Sequence, residues 1–280
     1  MAYELAATSI RWGRFIDRFK RAPKGLQQHL AIREACDLSW LGDHPVQPER
    51  VSLWLAMRTS SITYDLNALQ QTAWTVRHLL SATDPLDDLQ AFLDRKQEAG
   101  GDIDRCSAII MQASGLSPIV RACYAHSIWT LAELGKHGAR IEGAVLAQRL
   151  ASSFTSDTGF LPMASAGSAP FSGASAYQRL VRWLDGAGAS ILRAMRILDD
   201  YEHWGHLARA SQAIFKVETR DALIDLFLCA PYVTTALAMD RTGLSKTSIV
   251  RHLTALQDNG IVREITGQNR FKIWVPKSGH

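Results

Sequence analysis

Cysteine is scarce in this sequence, long apolar runs are missing, and two-residue alternation is nearly absent. The four cysteines among 280 residues (Cys36, Cys106, Cys123, Cys229) stand without CxxC or CxH spacing. That pattern excludes a zinc ribbon and a disulfide framework. All four read as small buried hydrophobes in a reducing cytoplasm. Apolar stretches are cut by Arg, Asp or Gly well before the roughly 20 residues that cross a bilayer. No membrane partner is expected, and a cytoplasmic location is. The first residues lack a charged-then-apolar leader, so a secretory signal is not expected either. Almost nothing before residue 260 alternates with period two, so the body is read as all-α.

What is present is charge of one sign at one end. Arg241, Lys246, Arg251, Arg263, Arg270, Lys272 and Lys277 face only Asp258 and Glu264, a net +5 over the last forty residues. The whole chain carries +4, so the remaining 240 residues sum to −1. Positive charge concentrated on a small segment is the electrostatic footprint of a polyanion partner. A second basic cluster (Arg11, Arg14, Arg18, Lys20, Arg21, Lys24) is opposed only by Asp17. It is read as a solvated face, a dimer contact or a contact to flanking DNA.

Helical spacing dominates the first 218 residues. Trp12, Phe15, Ile16 and Phe19 share one face of a helix over 3–21, which Ala22-Pro23 ends. Further helices are expected over 26–41, 49–60, 65–81, 117–135 and 139–153, with Pro45 and Pro48 enforcing a loop between the first two. Asp84-Pro85 reads as a start signal for another helix, ending at Gly100-Gly101. Helices resume at Tyr177 and continue to about residue 218, with a break expected near Gly186 and Gly188. Residues 156–176, rich in Gly, Ala, Ser and Pro, are expected to form a mobile surface loop, with a lid over a pocket or a linker between subdomains as the alternatives.

Residues 221–276 read as one unit. A short amphipathic helix (Leu223, Leu226, Phe227) stops at Ala230-Pro231, a second runs over 233–241, and Thr242-Gly243-Leu244-Ser245 makes the turn. Gly243 can supply the positive φ such turns need, and Ser245 can cap the third helix. On that helix Ile249, Leu253 and Leu256 form a buried stripe, and Thr247, Arg251, Thr254 and Asp258 fall opposite. Lys246 and Ser248 lie in its first turn, and Asn259-Gly260 ends it. Two alternating runs, 261–265 and 270–275, follow around a Gly-containing turn and read as a hairpin.

That order is a winged helix-turn-helix, which presents its third helix to the major groove and its hairpin to backbone or minor groove. The predicted DNA-binding residues are Arg241, Ser245, Lys246, Thr247, Ser248 and Arg251, with Gln268, Asn269, Arg270 and Lys272 on the wing. A winged helix used for protein contact is the competing use of the same fold.

With these residues in view, the tail from Leu244-Ser-Lys-Thr-Ser-Ile-Val-Arg-His-Leu to Gly260-Ile-Val-Arg-Glu-Ile-Thr-Gly-Gln-Asn-Arg-Phe resembles the winged helix that ends many Fic/DOC-family proteins. The whole chain is similar to a family of alphaproteobacterial, often plasmid-encoded helix-turn-helix proteins. The resemblance implies a helical body distantly related to Fic, whose members transfer nucleotidyl groups with a HPFxxGNGRxxR motif. The matching stretch here is Ala125-His126-Ser127-Ile128-Trp129 leading to Glu133-Leu-Gly-Lys-His-Gly-Ala-Arg-Ile-Glu-Gly143. No His-Pro-Phe occurs, and Ala139 stands near the place of the family's Asn. The implied body is a degenerate, inactive scaffold.

Other chemistry-bearing residues have plainer readings. His203 and His206 are three apart but lack a recognisable third ligand, and Asp87-Asp88 and Asp199-Asp200 read as solvated acids. Trp12, Trp40, Trp54, Trp74, Trp129 and Trp183 sit in helical apolar patterns and are expected in the core. The expected architecture is an all-α body over 1–218 and a winged helix over 219–280. Its expected function is sequence-specific binding of double-stranded DNA as a transcriptional regulator. The expected protein is a homodimer that responds to a small-molecule or protein effector and has no catalytic residues, metal or cofactor. The alternatives are a divergent Fic-type nucleotidyl transferase and a protein-binding antitoxin or anti-activator.

Overall fold

The computed structural model describes residues 1–57, 65–95, 100–134, 139–152, 159–211, 216–230, 232–267 and 272–277. Its helices are α1 (Ala2–Arg21), α2 (Lys24–Ser39), α3 (Pro48–Met57), α4 (Leu66–Leu79), α5 (Leu89–Phe92), α6 (Gly100–Gln112), α7 (Pro118–Leu131) and α8 (Ala139–Leu150). They are followed by α9 (Ala176–Ala210), α10 (Val217–Cys229), α11 (Thr235–Thr242) and α12 (Lys246–Asp258). Three short strands complete it: β1 (Val233–Thr234), β2 (Val262–Glu264) and β3 (Ile273–Pro276). The protein is mainly α-helical, with a C-terminal winged helix-turn-helix. By contact density it divides into two compact units, Met1–Arg21 with Ala31–Ala194, and Ala22–Leu30 with Met195–His280. The second unit takes in more chain than the 219–280 expected from sequence.

In the first unit α1 turns the predicted face inward. Trp12, Phe15, Ile16 and Phe19 are buried, and Phe19 meets Phe160 edge-on at 5.6 Å. Each such aromatic, removed from water, contributes about 1.5–3 kcal/mol. Helices α7 and α8 pack on each other, and α4 lies against α8.

The segment expected to be a mobile loop is in part a buried strap: residues 159–164 and Pro170 are buried, while Gly167, Ser168 and Ala169 are exposed. Phe160, Leu161 and Met163 are buried, and Ala164–Ala166 and Ala169–Phe171 form 3-10 turns. Its anchor is Glu34 on α2. Glu34 Oε1 accepts hydrogen bonds from the backbone N–H groups of Met163 and Ala164, both at 2.7 Å, and from the Gln148 side-chain amide. Arg149, also buried, donates to the Gly159 carbonyl and to Ser152 Oγ. For the buried part composition pointed the wrong way, because small residues can also fill a narrow space between helices.

Burial raises the Glu34 pKa from 4.5 to about 7, outweighing the three donors. The folded carboxyl therefore holds a proton more tightly than the unfolded one. That stabilisation is complete below about pH 4.5 and is lost as pH rises through about 7, a swing of about 3 kcal/mol. Thermal melts from pH 5 to 8 should show wild type losing stability relative to Glu34→Gln, whose amide does not titrate. The comparison removes the opposite slope from buried His126, whose pKa is lowered to about 4 by burial. Parallel melting curves for the two proteins would contradict the assignment.

Three other expectations change. Helix α9 runs unbroken through Gly186 and Gly188, because these glycines serve close approach. A Cβ on Gly186 would lie 2.2 Å from Pro170 Cγ of the strap, and one on Gly188 3.1 Å from an Arg11 guanidinium nitrogen. The helix expected after Asp84-Pro85 is only α5. Asp84 accepts the Leu86 N–H in a local turn, Asp88 then caps α5 at Ala91 N, and Asp94 leaves the helix at φ 53°. Gly100 then begins α6 where a helix end was expected. Among the presumed core residues, Trp40 is 65% exposed and Cys229 is exposed, while Cys36, Cys106 and Cys123 are buried.

Candidate nucleic-acid interface

The second unit holds α12 in place through an apolar cluster built from every element around it. Leu223, Ile224, Leu226 and Phe227 come from α10, Val233 from β1 and Ala238 from α11. The buried stripe of α12 (Ile249, Leu253, Leu256) joins Val262, Trp274 and, from the end of α9, Trp204 and Ala208. Thr234 caps α11 by accepting Leu237 N at 3.1 Å. Gly243 ends that helix in the left-handed region at φ 67°, donating to the Met239 carbonyl. A side chain there would be strained, so glycine sets the angle between α11 and α12. Ser245 Oγ then accepts Ser248 N at 3.3 Å and starts α12.

The wing is a three-stranded sheet in the order β1-β3-β2. Strand β3 pairs antiparallel with β2 (Arg263 opposite Val275) and with β1 (Val233 opposite Trp274). Sequence reading expected the hairpin and placed Val233 and Thr234 in a helix. A two-residue strand has too little pattern to show itself without its partner. The start of the wing tip is organised by the Glu264 carboxylate, which accepts Thr266 N at 2.5 Å, the Thr266 hydroxyl and Gly267 N at 3.2 Å. Two tryptophans brace the base: Trp204 Nε1 donates to the Ile261 carbonyl at 2.7 Å, and Trp274 Nε1 to Gln257 Oε1 at 3.2 Å.

On this frame Thr247 and Arg251 are exposed together on α12, opposite the buried stripe, and Lys246 is exposed in its first turn. Lys246 opens the helix, where unpaired backbone donors and the helix dipole add positive potential. Arg241, at the end of α11, is exposed and has Asp240 at 4.0 Å. Ser245 and Ser248 are less free than expected. Ser245 Oγ is occupied by capping and by a 3.1 Å bond to Ser248 Oγ, and Ser248 is half-buried. Lys272 is half-buried just before β3, and Gln268, Asn269 and Arg270 lie outside the described residues. His252 is kept below its usual pKa by burial and by the Arg251 charge, so it adds no positive charge at neutral pH. Sequence reading passed over Val250, which is 40% exposed between Thr247 and Thr254.

The stretch aligned above with the nucleotidyl-transfer motif has a different geometry. His126 is buried between the rings of Phe171 (centroids 5.2 Å apart) and Trp183 (5.7 Å) and is held neutral. His137 and Gly138 lie outside the described residues, and Arg140 is exposed. At the start of α8, Glu142 pairs with Arg95, whose guanidinium also lies 5.5 Å from the Trp129 ring and donates to the Leu134 carbonyl at 2.7 Å. His203 and His206 are exposed, and the described residues hold no group of three or more metal-ligating side chains. No described helix is long and apolar enough to cross a membrane.

The fold of the whole chain has a counterpart among solved structures. The whole chain is similar to a Fic family protein from Desulfovibrio desulfuricans G20 of known crystal structure, with a TM-score of 0.52 and 10% identity, over 100% of this chain and 96% of that one. At that identity the likeness defines the fold alone. No model of a known protein family matches the chain, so the resemblance to an alphaproteobacterial helix-turn-helix family has no counterpart there, and no curated protein matches it.

Proposed function

We propose that this protein is a sequence-specific double-stranded DNA-binding transcriptional regulator, with its Fic-like helical body serving dimerisation or the sensing of a small-molecule or protein effector. The observation that carries this reading is the exposed Thr247 and Arg251 face of α12, opposite a fully buried stripe, with Lys246 exposed in the helix's first turn. A homodimer would set two such helices about one DNA turn apart on an inverted repeat. Selection of bound duplexes from a random pool should return a single symmetric motif, and affinity should fall with salt as phosphate contacts are screened. Failure to retain any duplex at low salt would remove the reading.

The full-length likeness to a Fic family protein favours a second reading, a divergent Fic-type nucleotidyl transferase with the winged helix used for targeting. The absence of His-Pro-Phe and the enclosure of His126 support a non-catalytic body instead. Incubation with labelled ATP separates the two. Neither nucleotide binding nor transfer is expected of the regulator.

A further inference from the structure

Resting on the DNA-binding reading above, we propose that α12 reads a thymine by its 5-methyl group, through a line of three exposed β-branched side chains, Thr247, Val250 and Thr254. Their spacing of three and four residues places them on one face. The line is about 10 Å long at 1.5 Å per residue, or about three base-pair steps.

Val250 is 40% exposed, while Ile249, Leu253 and Leu256 of the same helix are buried. A β-branched residue has lower helix propensity than most polar alternatives, so exposure to solvent alone gives no reason for valine here. Of the two threonines flanking it, Thr254 differs from several helical threonines of this chain. Thr72, Thr75, Thr130 and Thr242 each donate to the carbonyl four residues earlier, at 2.6 to 3.0 Å. Thr254 makes no such bond although Val250 offers the carbonyl, and both flanking threonines are exposed. Their methyl groups extend the apolar line, and their hydroxyls, with no hydrogen bond among the described residues, can reach a base or phosphate.

The major-groove edge of an A·T pair can be read from adenine, by a bidentate Asn or Gln, or from thymine, by contact with its methyl group. The exposed face around Arg251 carries no Asn or Gln. Gln257 of α12 is engaged by Trp274 Nε1. An A·T pair facing this helix is therefore read from the thymine side, next to a position where Arg251 suits guanine.

The test starts from the selected binding site. Uracil is substituted for thymine at each position in turn, which deletes one methyl group and changes nothing else on the edge. Wild type should lose about fourfold in affinity at one thymine of each half-site. Val250→Ala should bind that site more weakly and lose less than ~1.5-fold on the same substitution. Its melting temperature should match wild type, since the side chain is exposed. If wild type binds its selected site but tolerates uracil everywhere, or if Val250→Ala keeps the full uracil penalty, the methyl reading is overturned and the DNA-binding reading stands. If no duplex is bound at low salt, both fall together.

Discussion

Arg251→Ala is expected to weaken binding to the selected site by about 5- to 150-fold, the loss of one good bidentate base contact, while binding to random duplex changes by only a few-fold. The guanidinium is exposed on α12 between the faces of Thr247 and Thr254 and makes no ion pair among the described residues. Its planar fork of donors matches the O6 and N7 edge of guanine, so its removal costs sequence information as well as charge. Lys277, exposed just after β3, provides the contrast. A lysine there contributes a point charge towards phosphate. Lys277→Ala should lower affinity for specific and random duplex alike and reduce the salt dependence by about one phosphate contact. Fluorescence anisotropy titrations of both variants on both duplexes decide the matter. Parallel losses from the two changes would remove the assignment of Arg251 to base reading.

The second large effect concerns what positions α12. Trp204→Ala should lower stability by about 3–5 kcal/mol, the usual cost of truncating a core tryptophan, and abolish DNA binding along with it. Trp204 is 5% exposed, meets Phe227 edge-on at 6.0 Å and satisfies the Ile261 carbonyl at 2.7 Å. Ile261 immediately precedes β2, so this one side chain joins α9, α10 and the wing. Trp204→Phe keeps most of the packing and loses the hydrogen bond, and should cost only about 1 kcal/mol. Urea midpoints measured on both variants separate packing from hydrogen bonding. An alanine variant as stable as wild type would show that Trp204 does not brace the winged unit.

The readability of this chain followed the range of the interactions. The α11–α12 turn was legible because its determinants sit within a few residues of one another: Gly243 in the left-handed region, Ser245 bonding three residues ahead, and apolar positions at Ile249, Leu253 and Leu256. The Ser245 cap was legible as a signal but misleading as reach, since its bond to Ser248 occupies groups expected to face a ligand. Val250 was missed because the helical pattern gives an exposed valine no signal. Only its exposure in the fold sets it apart from the stripe beside it.

The glycine-rich strap failed for the opposite reason. Its composition is that of a loop, yet Glu34 lies 129 residues from the Met163 N–H it accepts, and Gly186 admits Pro170 from a distant turn. The same holds for β1, whose two residues become a strand only through β3, forty positions later. Sequence alone determined the helical body, the helix-turn-helix and the hairpin, because caps, positive-φ glycines and apolar periodicity act within one or two turns of chain. Tertiary structure alone decided the buried strap, the third strand and the tryptophan brace. In each, the stabilising partner is far along the chain, so no local pattern carries the free energy of the contact.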